Sequence, residues 1–90
     1  MKFREFEEEV RSLLSDAVES AGYPKIDVDV SLPTDPSFGD ATSTIALKLG
    51  KALSVEPGEI AGKIKEKAKI KGKRYVTDLA AHPAGYINFR

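Results

Sequence analysis

The sequence predicts an α+β fold: a two-layer sandwich in which a small, mostly antiparallel sheet carries about three helices on one face. Three observations predict it. Apolar residues recur at three- and four-residue spacing in three separate segments. Ile26–Leu32 alternates strictly between apolar and polar residues, and the last seventeen residues read as a hairpin. The resulting order is α-β-β-α-α-β-β, and residues 1–90 form one domain on this reading.

The first helix is the plainest element. Phe3, Phe6, Val10, Leu13, Leu14, Ala17, Val18 and Ala21 share one stripe, and Glu5, Glu7, Glu8 and Glu9 crowd the end where the helix dipole favours acids. Gly22 suits a left-handed stop, and Pro24 prevents the helix from resuming. In the strand that follows, Ile26, Val28, Val30 and Leu32 face one way. Asp27 and Asp29 face the other, as solvated residues protecting a sheet edge. Pro33–Asp40 is turn chemistry throughout. A few residues around Ala41 are expected to pair briefly as strand.

Ile45, Leu49 and Leu53 then mark a second helix, capped by Asp40 or Ser43 and interrupted by Gly50. Pro57 fits the first turn of a third helix, lined by Ile60, Ala61, Ile64 and Ala68, in a region that Gly72 ends. The hairpin pairs Tyr75–Ala81 with Tyr86–Arg90 around the loop His82-Pro-Ala-Gly85.

Composition removes several classes of function. No cysteine means no disulfide framework, no thiolate nucleophile and no zinc ribbon, and a single histidine excludes a site built on two imidazoles. The glycines match neither a phosphate-binding loop nor a dinucleotide fingerprint, and no nucleophile is paired with a base. The residues therefore imply no catalysis and no cofactor for this domain. Acids stand in the N-terminal decapeptide where a secretory signal needs an apolar run, and no stretch is long enough to span a bilayer, so a soluble cytoplasmic protein is expected. Net charge is zero but divided. Residues 1–45 hold four basic and ten acidic side chains, residues 46–90 ten and four, which hints at a half that faces nucleic acid.

Two features could carry recognition. On the last strand a period of two puts Ile87 and Phe89 on one face and Tyr86, Asn88 and Arg90 on the other. An aromatic ring, a planar amide and a guanidinium in a row match the way unpaired bases are read, by stacking and edge hydrogen bonds. The bland reading is a tyrosine covering an open sheet face beside a solvated amide. The second feature is the run Lys63, Lys65, Lys67, Lys69, Lys71, Lys73, Arg74. It reads as a phosphate-tracking patch or as a solvated helix end whose lysines complement the dipole, since alternate spacing spreads charge around a helix. His82 reads as a residue that shapes the hairpin loop.

Pro33, Phe38-Gly-Asp40, the helix with Ile45-Ala-Leu-Lys-Leu49, Pro57-x-Glu59-Ile-Ala61 and the closing Gly85-Tyr-Ile-Asn-Phe89 occur in an order that resembles the N-terminal additional domain of arginyl-tRNA synthetases. The resemblance covers nearly the whole chain, and Gly-Tyr-Ile-Asn-Phe is its most specific element. It departs before the tyrosine, where Ala81-His-Pro-Ala-Gly85 stands for the usual Ala-Gly-Pro-Gly. The resemblance implies an accessory domain of an arginine–tRNA ligase that binds the D-loop and elbow of tRNA(Arg) and adjoins the catalytic domain of the same chain. ATP would be used by the full-length enzyme, whose His-x-Gly-His element these ninety residues lack. Tyr86 and Asn88 match the base-contacting positions. Arg90, Lys69, Lys71, Lys73 and Arg74 would add phosphate contacts, and the Phe-Gly-Asp element would be structural, with Gly39 turning the chain and Asp40 capping. The rival reading is a non-catalytic interaction or structural module docking on a catalytic domain through its sheet face.

Overall fold

An amphipathic first helix, a later pair of helices and a closing hairpin can share a core only if every apolar stripe turns toward one sheet face. The computed structural model, which describes residues 3–32 and 39–90, has this arrangement. Helix α1 spans Phe3–Ser20, strand β1 Ala41–Ser43, helix α2 Ile45–Leu53, helix α3 Pro57–Lys67, strand β2 Leu79–Ala81 and strand β3 Ile87–Phe89. Pro33–Phe38, most of the predicted loop, lie outside the described residues.

Helix α1 buries Phe6, Val10, Leu13, Leu14, Ala17 and Val18 of the predicted stripe, while Ala21 lies past its end and is half-buried. It ends as its sequence dictates. Gly22 adopts φ +83°, the Tyr23 N–H donates to Val18 O at 3.1 Å and the Gly22 N–H donates to Glu19 O at 3.0 Å. These are the two bonds that satisfy the last carbonyls of a helix closed by a left-handed glycine. Helices α2 and α3 meet over Gly50, where a Cβ would stand 2.8 Å from Val55 O and 3.0 Å from Pro57 Cγ. The glycine that weakens α2 locally is what lets the chain turn back across it. Ile45, Ala46 and Leu49 from α2 and Ile60, Ala61 and Ile64 from α3 complete the helical side of the core.

The sheet is antiparallel in the order β1-β3-β2. Ile87 and Phe89, both fully buried, face the helices together with Ala41 and Leu79. The α+β fold class and the three helices stand as the sequence predicts.

The predicted strand at 26–32 does not form as a strand. A single bridge, Ser31 to Thr42, is all that pairs it with β1. Continuing that antiparallel register would set Asp29 opposite Thr44, but Thr44 already stands at the N-cap position of α2, where the chain has left the strand. The Asp29 carboxylate takes the place of the ladder. It accepts from the Thr44 N–H at 3.0 and 3.1 Å, from Thr44 Oγ1 at 2.9 Å and from Ser43 Oγ at 3.3 Å, and it pairs with Lys48 at 3.5 Å. Asp29 is thus a capping residue, not a solvated edge residue. Ser43 adds a second cap by accepting from the Ile45 N–H at 3.2 Å, while Asp40 is exposed and does not cap. Ile26, Val28 and Val30 still pack on the core, but Leu32 is 68% exposed, contrary to the alternation.

A second carboxylate does comparable work. Glu9 on α1 accepts from the backbone N–H groups of Arg74, Tyr75 and Val76 at 2.9, 2.8 and 2.7 Å, holding the stretch between α3 and β2 against the helix. Burial pushes both carboxyls up, yet both sit below their ordinary range. The N–H donors of Val76, Tyr75 and Arg74 with the Lys73 charge lower Glu9, and the Thr44 donors with Lys48 lower Asp29.

Two outcomes follow from these contacts. A carboxyl whose folded pKa is depressed contributes stability that is complete above its ordinary pKa, 4.5 for Glu9 and 3.8 for Asp29, and that is lost as pH falls through the lower folded value. Denaturant midpoints measured from about pH 6 to about pH 2 should fall steeply below those values. Glu9→Gln and Asp29→Asn should start lower at neutral pH and converge on the parent curve in acid. Phe89→Ala should remove about 3–5 kcal/mol of stability in the same assay, as for other buried aromatics.

Candidate nucleic-acid interface

Strand β3 is the middle strand, so its pleat sets the outer face of the sheet as firmly as the core. Antiparallel partners point the same way, and the register therefore arranges that face in rows. One row pairs His82 with Tyr86, joined by the His82 N–H donating to Tyr86 O at 2.8 Å. The next runs Ser31, Thr42, Asn88, Ala80. The third sets Asp78 opposite Arg90, whose N–H donates to Asp78 O at 3.0 Å. Tyr86 is 43% exposed, and Asn88 is half-buried between the small neighbours Thr42 and Ala80.

The aim of Tyr86 is fixed by the hairpin before it. The Gly85 N–H donates to His82 O at 2.9 Å, closing the turn, and the Ala84 N–H donates to His82 Nδ1 at 3.0 Å. With Nδ1 accepting, a neutral imidazole carries its hydrogen on Nε2. The imidazole meets the phenol ring edge-on, with centroids 6.1 Å apart at 71°. His82 has its predicted turn-shaping role and also walls one side of Tyr86. Gly85, at φ +108°, has no room for a side chain, because a Cβ would lie 2.6 Å from Pro57 Cβ and 3.1 Å from Leu47. The departure Ala81-His-Pro-Ala-Gly85 thus still makes a closed turn, seated on the junction of α2 and α3. At the far end, Gly39 at φ +99° packs a bare Cα against Phe89 O, which accepts from the Asp40 N–H at 2.7 Å.

The result is a shallow face with an exposed aromatic plane at one end and an amide, both donor and acceptor, about 6.6 Å further along the strand. A planar ring laid on Tyr86 would bring its polar edge toward Asn88. Thr42, Ala80 and His82 belong to this face as well, and the sequence reading missed them. The pairing of residues 82 and 86 across the hairpin loop was the signal that could have found His82 and Ala80, whereas Thr42 is brought in by β1 from far along the chain.

The basic residues are elsewhere. Helix α3 stops at Lys67, so Lys63, Lys65 and Lys67 sit on the helix, the last two in its final turn as the helix-end reading expects. Lys69, Lys71, Lys73 and Arg74 lie beyond it, where a helical spread of charge does not apply. Lys69, Lys71 and Lys73 line a cleft beside α1, with Asp16 and Ser20 on its other wall. The fold therefore brings Tyr86, Asn88 and Arg90 together and sets the lysines on the helical side. Among the described residues no cluster of three acidic or histidine side chains could hold a metal ion, and no helix is long and apolar enough to cross a membrane.

Comparison with known proteins bears on the family and the fold. Residues 6–90 match the family model described as the arginyl tRNA synthetase N terminal domain. The arginine–tRNA ligase of Dechloromonas aromatica is 35% identical over 83 residues, covering 90% of this chain and 14% of that protein. That of Parvibaculum lavamentivorans is 35% identical over 92 residues, covering 98% and 15%. Among solved structures, Thermus thermophilus arginyl-tRNA synthetase superposes with a TM-score of 0.78 over 92% of this chain and 13% of that one, at 23% identity, a likeness of fold. The chain thus spans about one seventh of the length of these relatives.

The two roles of His82 can be separated. His82→Ala should expose the Ala84 amide to faster hydrogen exchange and cost about 0.5–1.5 kcal/mol, the net value of one hydrogen bond. His82→Asn, which keeps an acceptor at the same reach, should preserve both the protection of Ala84 and most of the stability.

Proposed function

As this chain belongs to the arginyl-tRNA synthetase N-terminal domain family, we propose that its ninety residues are the tRNA-binding accessory unit of an arginine–tRNA ligase. Its partners on this reading are tRNA(Arg) and the ligase's catalytic domain. ATP-dependent attachment of arginine takes place at residues of the ligase other than these, which contain one histidine and no glycine-rich phosphate loop.

The observation that carries the proposal is the outer face of β3. A nucleobase from the D-loop at the tRNA elbow stacks on the exposed ring of Tyr86 and exchanges edge hydrogen bonds with Asn88. Arg90, two residues on, offers charge to the adjoining phosphate. Loops are suitable targets because their unpaired bases can be splayed onto an aromatic, whereas the base edges of a duplex in the deep groove are out of reach. His82 limits how the ring of Tyr86 can tilt, and Ala80 leaves the space above Asn88 open. Lys69, Lys71, Lys73 and Arg74 supply sequence-independent attraction to the backbone.

Tyr86→Ala should weaken binding of a tRNA(Arg) transcript by about 5- to 150-fold, the value of one base–aromatic stack. Asn88→Ala should weaken it while reducing discrimination against a transcript altered in the D-loop. Both variants should unfold at nearly the parent's temperature, because neither side chain is in the core. Unchanged affinity in both would rule out base reading by this face.

A further inference from the structure

Helix α3 ends at Lys67, and Ala68 leaves it in an extended conformation, φ −72° and ψ 134°. From there the lysines follow a period of two. Ala68 and Ile70 turn inward and pack against the core, while Lys67, Lys69 and Lys71 are exposed. The chain then reverses, with Gly72 at φ +86° and the Lys73 N–H donating to Ile70 O at 3.0 Å. Lys73 returns to the same cleft, which has a volume of about 330 Å³ and is walled across from the lysines by Asp16 and Ser20 of α1.

Four lysines and one acidic residue, Asp16, therefore line this cleft, and the Lys73 charge also acts on Glu9. Among the described residues neither Lys67, Lys69 nor Lys71 forms an ion pair. Because Ala68 is extended, Lys67 at the end of α3 and Lys69 stand about 6.6 Å apart, comparable to the spacing of successive phosphates along one strand of nucleic acid, and Lys71 follows two residues on at the start of the turn. The segment is also held at both ends. Ile70 anchors it in the core, and Glu9 binds the N–H groups of Arg74, Tyr75 and Val76. Its charges thus lead away from the end of α3 along a backbone held on both sides.

We propose that Lys67, Lys69 and Lys71 form a phosphate ladder that takes consecutive phosphodiesters of an RNA strand, at a second site distinct from the Tyr86 face. The inference rests on the tRNA-binding reading above and adds a location and a mode. The ladder adjoins α1 in the helical layer, and Tyr86 and Asn88 lie on the opposite side of the sheet. One nucleotide cannot touch both, so the RNA must meet this domain at two separated stretches of its backbone.

The test is binding of a tRNA(Arg) transcript to the chain across a salt series, followed by fluorescence anisotropy. Each single-strand phosphate neutralised contributes about 0.7 to the slope of log affinity against log salt. Replacing Lys67, Lys69 and Lys71 together by glutamine should lower the slope by about 2 and weaken binding on the order of 10- to 100-fold near ~0.1 M salt. The same charge removed at the exposed Arg4, Lys25 and Lys51, outside the basic run, should change the slope far less. Tyr86→Ala should weaken binding at every salt concentration and leave the slope as it was. A ladder triple with an unchanged slope, or one matched by the control triple, overturns the ladder while the base-reading face stands. A lowered slope with Tyr86→Ala silent supports the ladder and overturns base reading. A chain that binds no transcript overturns both.

Discussion

Everything in this fold depends on β3 being paired on both edges. Residues 87 and 89 bond toward β1 while residues 86, 88 and 90 bond toward β2 and its extensions, so the strand can neither slide nor rotate. A slip of one residue would send Ile87 and Phe89 to solvent and bury Asn88 and Arg90, which makes the register costly to change. The outer face inherits that rigidity. Tyr86 and Asn88 are presented by a backbone that the core holds in place, and the seating of Gly85 on Pro57 sets the strand's starting point.

Around this strand, two carboxylates carry out what a longer sheet or a local cap would otherwise do. Strand β1 has only three residues before the chain becomes helical, so Asp29 reaches across with its side chain where its backbone would have continued the ladder. Glu9 similarly satisfies three consecutive N–H groups that have no strand beside them. Charged acceptors bound by several N–H donors are among the stronger hydrogen-bonding arrangements available to a protein. Both link pieces far apart in sequence: α1 to the segment before β2, and the segment after α1 to the start of α2. A small domain with a thin sheet gains much of its connectivity in this way.

Much of this was legible from residue types. The stripe of α1 and its glycine stop, the proline start of α3, the four-residue hairpin loop and the division of β3 into core and outer faces all rest on local periodicity, which tertiary contacts did not override. The rest depended on distance. Alternation in residues 26–32 looks the same whether a partner strand is long or ends after one bridge, so nothing local shows that Thr44 would already stand at the N-cap position of a helix. Asp40 is a residue type that favours caps, yet the helix starts four residues further on, and the carboxylate that binds its N-cap residue Thr44 comes from Asp29. Lysines at every second residue are compatible with helix or extended chain, and only the end of α3 at Lys67 decides which. The outer face was visible as Tyr86 and Asn88, whereas Thr42 came to it through strand pairing at long range.

The central claim is that RNA meets this domain on two surfaces, the outer face of β3 and the lysine segment beside α1. Amide chemical-shift mapping of the isotopically labelled chain during titration with a tRNA(Arg) transcript addresses it most directly. The account predicts two separate sets of shifted amides, one spanning residues 80–88 with Thr42 and the other residues 67–73, with the exposed side of α2 undisturbed. Shifts confined to α2 and the exposed side of α1, with Tyr86 and Asn88 silent, would contradict it.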